Sequence, residues 1–321
     1  MKQTRVLHLP AGVDATTATT ARGDFAVLVA RPPGVDVRGS AVLVPGWTGS
    51  KDDFAAILPL LAHAGWTVVA YDQRGQFESA GYPDADDYTW TDLAADAVAV
   101  ADWLDAGTRM HLVGHSFGGL VAAAATVGHP ARWASVTFMC SGPAGRDDAE
   151  SQDGLSRLAE SLDAIADETG TGTDAAGTDE AGTDGRFAAM GVLWDVKRRL
   201  EVMAGAELAD SDSEAFLRKR FLADDPAGLA AFSRMLASAP DRIDDVARTE
   251  LAAFVVYGED DDAWPIDMQD RMATRLGSAP VVIAGAGHSP ALDQPETTAD
   301  VLAGLWRSVL DDEPGGHEPA A

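Results

Sequence analysis

Short continuous apolar runs alternate along the chain with longer segments whose apolar positions recur at helical spacing. DFAVLVA (24–30), SAVLVPG (40–46), WTVVAYD (66–72), RMHLVGH (109–115), WASVTFMC (133–140), LAAFVVYG (251–258) and APVVIAG (279–285) read as buried strands. A further strand is expected at the start, around His8. Between these runs lie predicted helices. One runs from Phe54 to Ala64, with Ser50 or Asp52 as its cap and Gly65 as its stop. Others are LAADAVAVADWLDA (93–106), LVAAAATVGH (120–129), one beginning near Pro265, and a last one opened by Asp293 to Pro295 and running to Leu310. Nearly all-apolar strands alternating with helices predict an α/β fold with a mostly parallel sheet covered on both faces.

The alternation breaks after residue 143. A polar, helix-rich stretch follows, with FAAMGVLWDVKRRLEVM (187–203) and SDSEAFLRKRFL (211–222) as helices. The second carries a Ser211-x-x-Glu214 capping box. Asp225-Pro226 opens the next helix, with proline at its first position. Inside the stretch, ETGTGTDAAGTDEAGTDG (168–185) repeats GTD at 172, 177 and 182. Such an acidic, low-complexity spacer has nothing to bury and is expected to be a flexible loop. Residues 144–225 are thus expected to form a helical insertion into a domain made of 1–143 and 226–312. The tail 313–321 is expected to be disordered.

Charge and cysteine content narrow the function classes. The chain of 321 residues has 51 acidic and 24 basic residues, a net charge of -27. That field opposes nucleic acid and anionic membranes, because phosphate recognition needs clustered Lys and Arg. The single cysteine, Cys140, excludes an internal disulfide and suits a reducing compartment. The N-terminal segment lacks the apolar core of a signal peptide, and no apolar run is long enough to span a bilayer. The expectation is a soluble, cytoplasmic protein that does not insert into membranes.

The stretch MHLVGHSFGG (110–119) carries the chemistry. Ser116 sits between a strand and a helix, with Gly114 two residues before it and Gly118 two after. A sharp strand-to-helix turn strains the serine backbone and brings neighbouring chain so close that only small residues fit. The hydroxyl then stands clear at the carboxyl end of the sheet. It needs a base. Of seven histidines, His63, His111, His129 and His317 fall on a helix, in a strand, at a helix end and in the tail. His115 adjoins the serine, and its side chain is expected to point elsewhere. His288, in AGAGHSPALDQPE, follows the last strand at the same sheet edge as Ser116. An acid must orient that histidine, and VVYGEDDDAWP (255–265) offers Asp260, Asp261 and Asp262 at a strand end. The backbone N–H of Phe117 and that of Trp47, in the loop after SAVLVPG, are the expected oxyanion donors. Gly285-Ala286-Gly287 after a strand suggests a dinucleotide fingerprint, but Pro290 occupies the third glycine position and no further strand completes the unit.

Taken together these motifs resemble the α/β-hydrolase fold family, over about 24–143 and 226–310. VPGWTG resembles the family's oxyanion loop, GHSFGG its nucleophile elbow, and AYDQRGQFES its D-x-R-G-x-G-x-S signature, carried by Asp72, Arg74, Gly75 and Ser79. GEDDDAWP resembles its G-x-x-D-x-x-x-P acid turn, which selects Asp261, and GAGHSPALDQPE its histidine loop. Two positions depart: Pro45 stands where a histidine is usual, and Phe77 where a glycine is usual. The resemblance implies eight strands, a helical cap over the insertion, and structural roles for Asp72 and Arg74. It implies a serine esterase acting through Ser116, His288 and Asp261, with no metal or organic cofactor. C–C hydrolysis, lactone hydrolysis or cofactor-free perhydrolysis could use the same triad, and a binding protein of the same fold is the reading from another class. The serine in the elbow disfavours the aspartate-nucleophile relatives, epoxide hydrolases and haloalkane dehalogenases. Phe187, Met190, Leu193, Trp194, Phe216 and Phe221 of the insertion are expected to pack the cap, and some of them to roof the pocket. The expected partner is a small or medium apolar acyl substrate.

Overall fold

The computed structural model describes residues 8–34, 37–82, 87–105, 107–146, 148–169, 180–203 and 210–312. Eight strands form one sheet: β1 (Val13–Thr20), β2 (Gly23–Ala30), β3 (Gly39–Val44), β4 (Trp66–Tyr71), β5 (Met110–His115), β6 (Trp133–Met139), β7 (Ala252–Gly258) and β8 (Val281–Ile283). Their order is β1-β2-β4-β3-β5-β6-β7-β8. β2 runs antiparallel to β1 and β4, and all other neighbours are parallel. The helices are α1 (Leu58–His63), α2 (Trp90–Asp105), α3 (Phe117–Gly128), α4 (Ala149–Thr169), α5 (Glu180–Met203), α6 (Ser211–Ala223), α7 (Pro226–Ser238), α8 (Ile243–Ala247), α9 (Ile266–Arg275), α10 (Pro290–Asp293) and α11 (Pro295–Asp312). β3 and β5 are buried along almost their whole length, as strands covered on both faces must be. No described helix is long and apolar enough to cross a membrane.

Several local expectations change. β1, VDATTATT, buries only Val13 and Ala18, so it lacks an apolar run and is recruited by pairing with β2. His8 lies ahead of it, exposed and outside any strand. The segment expected as one helix from 54 to 64 splits into a 3₁₀ turn, Lys51–Phe54, and α1, because Pro59 enters at the start of α1. Asp210, not Ser211, caps α6 by accepting from the amides of Asp212 and Ser213. Glu214 is instead ion-paired with Arg198. Of the acidic spacer, 168–169 end α4 and 180–185 begin α5. Its remainder, 170–179, and the tail 313–321 lie outside the described residues.

The inserted helices have their own apolar centre. Ala159, Leu162 and Ile165 of α4 meet Met190 and Trp194 of α5, Phe221 of α6, and Leu229 and Ala230 of α7. α7 also sends Phe232 and Leu236 into the main core. The boundary expected between 225 and 226 therefore falls at the N-cap of a helix that serves both bodies. Asp225 makes that cap, accepting from the Gly228 amide with Pro226 at the first helical position.

Beneath the insertion, charged groups tie its helices to the loop after β4. Asp72 is fully buried and accepts from the Lys51 amide at 2.7 Å and from Lys51 Nζ at 2.8 Å. Arg74 and Arg22 converge on buried Asp96 of α2, which anchors that loop on the opposite side. Asp224, at the end of α6, accepts from the Phe77 amide at 2.9 Å. Its second oxygen has no hydrogen-bond partner among the described residues. Burial pushes Asp224 up to about 7, with the Phe77 amide and Arg220 opposing and the Asp72 carboxylate adding to the push.

A carboxyl group with a raised value in the folded chain binds its proton more tightly there than when unfolded. Its contribution to stability is complete below its ordinary value and is lost as pH rises through about 7. Asp224→Asn keeps the acceptor for Phe77 and removes the titration. Denaturant unfolding from pH 5 to pH 8 should show the mutant gaining on the parent as pH rises, by more than about 1 kcal/mol. A difference independent of pH would mean that Asp224 is not the group responsible.

Candidate active site

The parallel register aligns the carboxyl ends of β3 and β5, pairing Val44 with Gly114, and the chain leaves both strands at that edge. Between β5 and α3 it reverses within one residue. Ser116 has φ 53° and ψ −121°, a left-handed conformation that costs a non-glycine residue energy. Neighbouring backbone permits and holds the turn. A Cβ on Gly114 would stand less than 3.0 Å from the Gly118 carbonyl, and one on Gly118 equally close to the Val44 carbonyl. The Ser116 amide donates to the Met139 carbonyl at 2.9 Å, and the Ser141 hydroxyl donates to the Ser116 carbonyl at 2.8 Å. Ser116 thereby faces a cavity of about 480 Å³.

His288 lines the same cavity from the loop after β8. Its Nδ1 lies 2.8 Å from Asp261 Oδ1. Of the three consecutive acids after β7, Asp260 and Asp262 are exposed, while Asp261 is buried and meets the histidine. Asp261 is held from three further directions: the Ala263 and Trp264 amides at 3.0 and 3.4 Å, and Gln269 Nε2 at 2.8 Å. Burial pushes its carboxyl up. The bonds from His288, Gln269 and the Ala263 amide outweigh that push and hold it below its ordinary value, so it stays ionised. Close backbone packing brings the two loops together, since a Cβ on Gly258 would collide with the Gly287 carbonyl, and the Asp260 amide donates to Ala286.

His115 does not point away from the site. It is buried, lines the cavity, and its Nε2 lies 2.7 Å from the His288 carbonyl. A carbonyl only accepts, so Nε2 carries the proton and Nδ1 faces the Gly46 side. Burial, aided by neighbouring His288, pushes His115 down to about 4 and keeps it neutral. It acts as a strut for the His288 backbone.

The loop after β3, Pro45–Gly49, forms the other wall. Trp47 lines the cavity and packs against both apolar clusters, while Phe117 is wholly buried at the first position of α3. The first amides of a helix lack intrahelical acceptors, which leaves the Phe117 N–H able to donate outward. Two glutamines that the sequence reading did not single out hold the loop from below. Gln73 Nε2 donates to the Pro45 carbonyl at 3.0 Å, and Gln76 Nε2 to the carbonyls of Gly46 and Trp47, both at 2.8 Å. Their position inside DQRGQFES was the available signal. Phe77, φ 43°, takes a left-handed backbone where glycine would be unstrained, and its ring packs edge-on against Phe216.

The roof differs from the expected apolar one. Among the described residues that line the cavity, the inserted helices contribute Ser151, Leu155, Lys197 and Arg220, with Leu236 from α7 and Arg146 from the loop after β6. Met190, Trp194 and Phe221 are spent on the inserted helices' own core, Phe216 on Phe77, and Phe187 is exposed. Cys140, Asp261 and His288 offer ligand atoms within 4.8 Å of one another. Burial drives the Cys140 thiol well above its ordinary value.

Residues 41–301 match the model of the alpha/beta hydrolase family. A Variovorax paradoxus protein named as a carbamate hydrolase is 42% identical over 102 residues, 32% of this chain and 38% of its own length. Epoxide hydrolase B of Mycobacterium tuberculosis is 37% identical over 105 residues, 33% of this chain and 29% of its own. The chain thus spans well under half the length of these curated relatives. A thermophilic esterase from Thermogutta terrifontis superposes with a TM-score of 0.65 at 23% identity, over 92% of this chain and 99% of the esterase.

The backbone contact behind the Ser116 turn is open to direct test. Gly114→Ala should force the turn apart and lower unfolding stability by about 1–3 kcal/mol, as overpacking does. Chemical denaturation checks this, and an unchanged midpoint would mean that α3 can withdraw from β5 without cost.

Proposed function

We propose that this chain, which belongs to the alpha/beta hydrolase family, is a serine hydrolase that cleaves carboxylic esters through Ser116, His288 and Asp261. One observation carries the reading. A serine on a strained strand-to-helix turn shares a cavity with a histidine whose far nitrogen is 2.8 Å from a buried, ionised aspartate. In the proposed reaction His288 Nε2 takes the Ser116 proton as the serine oxygen attacks the ester carbonyl. The amides of Trp47 and Phe117 donate to the resulting oxyanion. His288 then protonates the departing alcohol, water attacks the acyl-enzyme by the same route, and the acid leaves with Ser116 restored. Asp261 keeps the Nδ1 proton of His288 in place and supports the imidazolium that forms.

Similarity to a protein named for carbamate hydrolysis and to an esterase fold is compatible with acyl chemistry. Similarity to a named epoxide hydrolase covers only a third of the chain, and a serine in the elbow favours acyl transfer over that reaction. A small-molecule substrate suits a 480 Å³ cavity. A net charge of -27 supports the expectation that nucleic acid is not the partner.

Ser116→Ala should abolish turnover of p-nitrophenyl esters, and a fluorophosphonate should label Ser116, as read by peptide mass. Labelling of another serine, or full activity in the mutant, would overturn the assignment. Asp261→Asn should lower kcat by a factor on the order of 10⁴, the loss known for the corresponding change in serine proteases. Asp260→Asn and Asp262→Asn should retain most activity. A larger loss at either of those exposed positions would show that the acid has been misassigned.

A further inference from the structure

Across the whole chain acidic residues outnumber basic ones 51 to 24. The cavity reverses this bias: its charged lining is Arg146, Lys197 and Arg220 against Asp53. Arg220 is accounted for within the protein. It is buried, and its Nη1 meets Asp53 Oδ1 at 2.8 Å and Ser50 Oγ at 3.3 Å, so that charge is balanced beside the Trp47 loop. Arg146 is placed differently. Its guanidinium lies over the Trp264 ring, 4.9 Å from the centroid, and donates to the Ala263 carbonyl. The carboxylate it is paired with, Asp148, is 3.8 Å away, beyond hydrogen-bonding distance, and is half exposed. Arg146 therefore presents a positive charge to the cavity on a fixed platform. The platform is the turn that carries Asp261, because the Ala263 and Trp264 amides both bind that carboxylate. Lys197 of α5, whose Nζ lies 5.6 Å from the Trp194 ring centroid, is a second cation in the lining.

We propose that the cavity selects acyl substrates bearing a second, ionised carboxylate, gripped by Arg146 with support from Lys197. This deepens the ester-hydrolase reading and rests on it for the identity of the reacting end. A planar guanidinium presents paired donors that match a carboxylate, and stacking on Trp264 fixes its orientation before the ligand arrives. The negative charge of the protein as a whole does not forbid an anionic ligand. Screening confines exposed charges to about 8 Å at physiological salt, while the cations in the cavity wall act at contact through a poorly screened medium. A neutral alkyl ester of the same length would bring Arg146 no carboxylate to add to its bond with the Ala263 carbonyl.

The test uses the full chain and two readouts. Calorimetric titration with adipate and with adipamide, equal in length and differing in charge, should show adipate binding and adipamide binding at least about tenfold more weakly, the usual scale for a hydrogen bond to a charged group. Arg146→Gln should erase the difference, Arg146→Lys should keep part of it, and Lys197→Gln should reduce it, with each variant confirmed folded by its melting temperature. Absence of adipate binding, equal binding of the two, or an unchanged preference in Arg146→Gln would overturn the proposal. The second readout compares kcat/KM for p-nitrophenyl hydrogen adipate with that for p-nitrophenyl hexanoate, where the acid ester should be preferred in the parent and the ratio should collapse in Arg146→Gln. Turnover of both esters without preference overturns the anion site and leaves the hydrolase reading standing. Arg146-dependent adipate binding with no ester turnover does the reverse.

Discussion

Backbone touches backbone on three sides of Ser116, and the rest of the site is built around that contact. α3 can start directly from β5 only because Gly114 and Gly118 let their chains meet and because Gly119 makes room for Ser141. The turn is strained at Ser116, and the amide and carbonyl bonds to Met139 and Ser141 hold it against that strain. From there the constraint spreads along the sheet edge. β3 and β6 must end level with β5, and the loops leaving β7 and β8 must converge until Asp261 meets His288.

Much of the remaining polar structure braces loops that carry no regular hydrogen bonding of their own. Gln73 and Gln76 occupy the carbonyls of the Pro45–Trp47 loop from below, which leaves that loop's amides directed elsewhere. His115 occupies the carbonyl of His288. Gln269 occupies the outer oxygen of Asp261. In each case a neutral side chain satisfies a backbone or carboxylate group without adding charge near the histidine. A misplaced charge there would shift the acid–base balance that the proposed acyl transfer requires.

The inserted helices are joined to the site by charged contacts. Arg220 reaches Asp53 and Ser50 of the turn after the Trp47 loop, and Asp224 holds the strained Phe77 amide. Asp53 in turn accepts from the Ser50 amide, so the position of α6 bears on the loop that lines the cavity. Burying these groups is costly unless each keeps its partner. A rearrangement of the inserted helices would therefore be felt in the Trp47 loop, where the proposed oxyanion donor lies.

The sequence by itself determined the class of fold, and it pointed to Ser116, His288 and a run of three aspartates at the sheet edge. All-apolar strands, helical spacing and glycines around Ser116 are local signals. They were legible because a buried parallel strand and a tight turn each restrict the residues they accept. Asp261 could be told from Asp260 and Asp262 only through resemblance to a family, since the local pattern treats three consecutive aspartates alike. Tertiary structure separated them by burying one and exposing two. It also recruited β1, whose threonine-rich sequence carries no apolar run and which became a strand by pairing with β2. It replaced Ser211 by Asp210 as the cap of α6, turned His115 into the site, and sent Trp194 and Phe221 into the inserted helices' own core while charged residues joined the cavity lining. These outcomes depend on which distant surfaces meet, with Arg146 and Trp264 or Gln76 and Trp47 brought together across long stretches of chain. Residue spacing along the sequence holds no record of such meetings.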